Sequence, residues 1–192
     1  MIETGVLALV VGPSGAGKDT LIGCARRALD GDQRFAFCRR VVTPPAIDAL
    51  EDHDTLDPAA FTESEQSSRF FLSWRAHGLG YALPQPVVDA LRAGRVVIAN
   101  VSRSVIDAAE ARARNVVVFS ITSPPDVLAE RLAARGRESA EVVAARLRRS
   151  VGVVAARAPV VEIDNSGAVS DAAAVLIRHL RSLPEPPVES AR

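Results

Sequence analysis

Lysine is almost missing from this chain. Of its 23 basic residues one is a lysine, Lys18, and every other is an arginine. A composition so committed to the planar guanidinium fork makes one exception for a compact ammonium on a flexible stem. Lys18 therefore marks a place where only a point charge fits. Aromatic residues are scarce as well, at 4%. Cysteine is limited to Cys24 and Cys38, a pair that matches no metal-ligand spacing and no disulfide framework. With no secretory leader pattern at the N-terminus, both are expected to be reduced cysteines of a cytoplasmic protein. Neither sign of charge is in excess: 23 basic and 23 acidic residues give a formal net charge of zero. That balance argues against general affinity for nucleic acid or acidic membranes, so any anion must be held by locally gathered charge. No apolar run approaches the roughly 20 residues of a membrane span, and no internal repeat is present.

What is present suits one domain. A chain of 192 residues with 48% hydrophobic side chains can fill one core but not two. We expect a single domain over 1–183 and a flexible tail over 184–192, where three prolines fall within four residues. Residues 5–11, GVLALVV, are continuously apolar, as a strand buried on both faces of a parallel sheet must be. Further buried strands are expected near 36–42, 95–102, 115–121 and 158–164. Helical patterns lie near 18–29, 59–73, 84–93, 104–114, 125–135, 139–156 and 168–182. Residues 43–68, with Pro44, Pro45, Pro58 and seven acidic residues, read as an irregular insertion. Strands alternating with helices point to an α/β fold, a doubly wound five-stranded parallel sheet flanked by helices. Ligands in such sheets lie at the carboxyl ends of the strands.

The turn after the first strand carries the strongest chemical signal. Gly12, Pro13, Ser14, Gly15, Ala16, Gly17 and Lys18 follow the phosphate-loop spacing between a strand and a helix. Glycines let backbone N–H groups close on phosphate oxygens, and the helix directs its N-terminus at the same anion. Lys18 would follow charge as it develops during phosphoryl transfer. The next position, ordinarily Ser or Thr, is Asp19. Either the loop is degenerate, or Thr20 supplies the hydroxyl while Asp19 works through the metal. The strand VVIANVS over 96–102 has no carboxylate to hold Mg²⁺, which leaves Asp19 as the nearest candidate, directly or through water. A plain helix-dipole role stays open beside it.

Two further clusters matter. Arg131 and Arg135 share one helix face; Arg137 follows, and Arg146 and Arg149 share the next face. Such a cluster can close over a transferring phosphoryl group and neutralise its oxygens, with Arg135, Arg137 and Arg146 as catalytic candidates. A solvated helix face is the alternative. The stretch from Phe70 to Tyr81 holds the only Trp, the only Tyr and one of three histidines. Trp74, His77 and Tyr81 could line an acceptor pocket or form a small satellite core.

GPSGAGKDTL, the Arg-rich segment with RGRE, and the aromatic segment ending in a tyrosine resemble the guanylate-kinase-like P-loop kinases. Within that branch the GKD variant, the stretch from Trp74 to Tyr81, and Asn100-Val101-Ser102-Arg103 look closest to the ribose 1,5-bisphosphate phosphokinases of phosphonate breakdown. The resemblance covers roughly residues 5–165. It implies a nucleoside-monophosphate-kinase-like fold with an acceptor-binding insertion at about 35–85 and an Arg-rich lid at about 135–145. It also implies ATP and Mg²⁺ as cofactors, a sugar phosphate as acceptor, and 5-phosphoribosyl 1-diphosphate as product. Asn100, Ser102 and Arg103 would then bind substrate. Guanylate kinases read guanine with a Glu before the Trp; here that position is Ser73, so guanine should not be preferred. The Arg that follows Thr in the family is Pro44 here, leaving Arg39 or Arg40 to grip the acceptor; Val101 and Ala82 also depart from the pattern. Small molecules are the expected partners, with no nucleic acid and no membrane, and a homodimer is left open. The rival readings are a nucleoside monophosphate kinase and a non-catalytic binding module of the same fold.

Overall fold

The structure is a computed structural model that describes residues 1–44, 53–76, 78–134 and 157–184. The lid at about 135–145, the helix expected over 139–156 and the tail beyond Pro184 lie outside the described residues. So do Arg135, Arg137, Arg146, Arg149 and His77.

Strand β1 (Val6–Val11) is buried at every position, and the chain is built outward from it. It pairs in parallel with β7 (Val96–Asn100) on one side and β8 (Val116–Thr122) on the other. β2 (Phe35–Phe37) extends the sheet beyond β7, and β9 (Val160–Asp164) extends it beyond β8. The order β2-β7-β1-β8-β9 places the reversal of winding at β1, where such sheets open a ligand crevice. This is the expected five-stranded parallel sheet. Helices α1 (Lys18–Ala28) and α6 (Val169–Arg181) cover one face, burying Leu21, Ala25, Leu176 and Leu180 against Val10, Phe119 and Ile163. Helices α3 (Pro86–Arg92) and α4 (Ile106–Arg112) cover the other face. α5 (Pro125–Ala134) follows β8.

The insertion is more ordered than its composition suggests. β3 (Arg40–Val42), β4 (His53–Thr55), β5 (Phe70–Ala76) and β6 (Leu79–Pro84) form a second sheet in the order β4-β3-β6-β5. Helix α2 (Pro58–Gln66) packs Phe61 against it. Two expectations are corrected here. The strand expected over 36–42 is two strands in two sheets: the Cys38 N–H still bonds the Ile98 carbonyl of the large sheet, and the chain then crosses to the small one. The helix expected over 59–73 stops at Gln66, where Ser68 takes a left-handed conformation at φ 53°. The aromatic stretch that follows is a β-hairpin around Gly78, with Trp74 opposite Tyr81. Aromatic side chains favour such half-buried pleated surfaces.

Candidate active site

The phosphate loop turns at the carboxyl end of β1. At Gly12, φ is 152° and a Cβ would strike the Ile121 carbonyl oxygen. At Gly17, φ is 87°, and this residue caps α1 without any side-chain hydrogen bond to the helix. The first N–H groups of α1 are thereby left to an external anion. Lys18 Nζ donates to the carbonyls of Gly12 and Pro13, each at 3.0 Å, and so lies along the loop.

The loop is held from beneath by a residue the sequence did not disclose. Asn165, just past β9, is 1% exposed. Its Nδ2 donates to the Ala16 carbonyl at 2.8 Å, and its own carbonyl accepts from Ser123 Oγ at 2.9 Å. Arg131 in turn donates to Ser123 Oγ at 3.3 Å, so α5, β9 and the loop are joined. The one available signal was position, a polar amide at the carboxyl end of a strand.

Asp19 and Asn100 meet. Asn100 ends β7, is 8% exposed, and its Nδ2 donates to Asp19 Oδ1 at 2.6 Å. The Asn100 backbone carbonyl accepts from Arg40 at 3.1 Å. Arg40, also 8% exposed, lies with its guanidinium carbon 5.3 Å from the centre of the Tyr81 ring. Tyr81 stacks on Trp74 at 5.6 Å, the ring planes within 10°. Five of the residues singled out in the sequence thus form one continuous path from α1 to the small sheet. Arg39 goes the other way, pairing with Asp54 at 2.8 Å on the surface. Of the two arginines considered in place of Pro44, Arg40 is the one that joins this path.

Other candidates are placed less directly. Thr20 is exposed, while Ser14 is half-buried in the loop. Ser102 Oγ accepts from the Ser104 N–H at 3.3 Å and caps the short turn of Arg103–Val105. Arg103 is half-buried on that turn, beyond the carboxyl end of β7. Ser73, on β5, stands close enough to the Glu65 carboxylate of α2 to stabilise its charge. Burial pushes Glu65 up, but the Ser73 hydroxyl and the Arg75 guanidinium, 2.9 Å away, outweigh it and hold the carboxyl below its ordinary value.

Among the described residues no three His, Cys, Asp or Glu side chains gather as a metal cage. Mg²⁺ in phosphoryl-transfer sites is typically held by one or two carboxylates together with substrate phosphates. The single half-buried carboxylate of Asp19, beside the loop, fits that requirement.

No protein-family model matches the chain. Curated relatives do. The ribose 1,5-bisphosphate phosphokinase PhnN of Methylobacterium radiotolerans is 54% identical over 180 residues, covering 93% of this chain and 98% of its own. The enzyme of the same name from Brucella melitensis is 49% identical over 181 residues, covering 93% of each. This chain belongs to the ribose 1,5-bisphosphate phosphokinase family. As a member of that family it is a kinase, a phosphotransferase. Among solved structures, guanylate kinase from Anaplasma phagocytophilum superposes with a TM-score of 0.62 at 16% identity, over 95% of this chain and 88% of that one. That likeness establishes the guanylate-kinase fold for this phosphokinase. No helix among its described residues is long and apolar enough to cross a membrane.

Proposed function

We propose that the chain transfers the γ-phosphoryl group of ATP to the 1-phosphate of ribose 1,5-bisphosphate, giving 5-phosphoribosyl 1-diphosphate and ADP. The observation that carries this reading is Arg40: a buried guanidinium fixed between Asn100 and Tyr81, on the acceptor side of an intact phosphate loop. A planar fork suits a phosphate dianion. Ser73 presents a hydroxyl rather than a carboxylate, and the Glu65 carboxylate is paired with Arg75 at 2.9 Å, an arrangement that disfavours guanine.

An oxygen of the acceptor 1-phosphate forms the new bond to the γ-phosphorus, and the bond from that phosphorus to the β–γ bridging oxygen breaks. The acceptor oxygen is already ionised near neutral pH, so no general base is needed; positioning and charge neutralisation suffice. The loop amides and the N-terminus of α1 hold the β-phosphate, and Lys18 moves from the loop carbonyls to the oxygens where charge develops. Asp19 would hold Mg²⁺, which when bound would supply positive charge to offset that of the phosphates. Arg40 and Arg103 hold the acceptor phosphates, with Trp74 and Tyr81 shielding Arg40 from water. Arg135, Arg137 and Arg146 are assigned to neutralising the charge on the transferring group, and His77 to the acceptor.

An acceptor panel with ATP and Mg²⁺, followed by ADP release, tests the assignment. Ribose 1,5-bisphosphate should turn over and GMP or AMP should not; the reverse pattern would make this a nucleoside monophosphate kinase. ATP binding with no transfer to any acceptor would make it a binding module. Lys18→Ala should lower transfer by about 10²–10³-fold, the usual cost of one preorganised charge stabiliser, with the melting temperature little changed. Near-normal turnover in that variant would sink the phosphate-loop assignment.

A further inference from the structure

Phosphate-loop enzymes generally hold Mg²⁺ with a hydroxyl directly after the loop lysine and a carboxylate at the end of a neighbouring strand. Here Asp19 follows the lysine, and Asn100 ends β7, the strand that pairs with β1 with Val10 opposite Asn100. We infer that the two sides of the metal site have exchanged chemistry: the carboxylate sits on the helix, and the strand supplies the neutral partner that orients it.

Three observations support the exchange. The two side chains are joined by a hydrogen bond of 2.6 Å, short for an amide donor, as a charged acceptor makes it. Asn100 cannot swing away freely, because it is 8% exposed and its backbone carbonyl is tied to Arg40. That bond engages one carboxylate oxygen of Asp19, Oδ1. Fixing one oxygen aims the other. The number of carboxylates at the site is the same as in the ordinary arrangement, so the charge presented to metal and phosphates is conserved. Asn100 is then a positioning residue, and the Asp after the lysine is no lesion in the loop.

The inference rests on the phosphotransferase reading of the loop but not on the identity of the acceptor. Its test is Mn²⁺ binding in the ternary complex with the protein and ADP, read by electron paramagnetic resonance. ADP affinity in the presence of EDTA is measured in parallel. Asp19→Ser should weaken Mn²⁺ binding by about tenfold or more, while ADP without metal binds no more weakly, since a negative charge has been removed. Asn100→Ser, which keeps Asp19 but removes its amide partner, should weaken Mn²⁺ by about tenfold. The exchange variant Asp19→Ser with Asn100→Asp has the wild-type charge, and should recover most of the Mn²⁺ affinity lost in Asp19→Ser. Wild-type Mn²⁺ affinity in Asp19→Ser or in Asn100→Ser overturns the inference. So does an exchange variant that binds Mn²⁺ no better than Asp19→Ser while its circular dichroism and melting remain native. If the exchange variant does not fold, Asn100→Ser decides alone. Absence of ribose 1,5-bisphosphate turnover would leave the Mn²⁺ result standing. Failure of the wild type to bind ADP at all would overturn both readings.

Discussion

Arg40 and Arg39 are adjacent in sequence and opposite in consequence. Arg39 is half-exposed and paired with an exposed Asp54, a kind of contact worth about 0–1 kcal/mol. Arg40 is buried, with one nitrogen on the Asn100 carbonyl and its plane over Tyr81. Arg40→Lys keeps the charge but loses both the fork and the stacking. We expect kcat/KM for the sugar phosphate to fall by roughly 10- to 100-fold, the loss of a charge-assisted hydrogen bond of about 1.5–3 kcal/mol, with KM for ATP nearly unchanged. Arg39→Ala should leave both constants alone. Equal effects of the two changes, measured by steady-state kinetics, would remove Arg40 from the acceptor site. At this scale the sequence was informative where a residue was unusual for its setting. Lys18 stood out as the lone lysine, Asp19 as the odd residue of its motif, and Trp74 and Tyr81 as rare aromatics. Asn165 carried no such mark. Its work is a hydrogen bond to Ala16 spanning 149 positions, and nothing local signals a contact made at that distance.

Elements explain how the loop is kept in place. β9 carries Asn165 to the loop, and the start of β9 is itself pinned by α4. Glu110, 5% exposed, accepts the backbone N–H groups of Arg157 at 3.2 Å and Ala158 at 2.8 Å, with the Arg157 side chain 3.5 Å away. Burial alone would push this carboxyl up. The two backbone donors and the Arg157 charge together outweigh it and hold it below its ordinary value. A depressed folded-state value means the stabilisation is complete above the ordinary carboxylate range and is lost as pH falls through the folded value. Glu110→Gln should therefore cost about 1–3 kcal/mol at pH 7, or roughly 2–4 °C of melting temperature per kcal/mol. The gap from wild type should shrink as pH drops below about 4.5. A gap that stays constant from pH 7 into the acid range would show that the charge contributes nothing. The elements themselves were legible in proportion to how locally they are specified. The continuous apolar runs of β1, β7 and β8 could only be buried strands. The hairpin of β5 and β6 was hidden, because its pairing partner is another strand and its aromatic spacing also suits a helix. The crossing between β2 and β3 was hidden too, since Cys38-Arg39 carries no Gly or Pro to announce a change of sheet.

At the scale of the whole molecule the question is whether the small sheet is an appendage or part of the fold. One of the two buried clusters lies wholly on the α1 and α6 side of the large sheet. The other runs through both sheets: Leu7, Leu9, Val11 and Val97 of the large one share it with Leu72, Trp74 and Leu83 of the small one. Each such side chain is worth about 1.5–3 kcal/mol when buried. Peeling the small sheet away would expose several of them at once, and would also break the path from Asp19 through Asn100 to Arg40. The acceptor side and the nucleotide side should therefore unfold together. Trp74 is the only tryptophan and sits in the small sheet, so its fluorescence reports that sheet, while far-ultraviolet circular dichroism is weighted toward the helices on the large one. Thermal unfolding followed by the two signals should give coincident transitions, the mark of a single cooperative unit. A Trp74 transition several degrees below the helical one would show instead that the small sheet melts first. In that case Arg40 would lose its buried setting while the phosphate loop survived, and over that interval the protein would still bind ATP but no longer hold its acceptor.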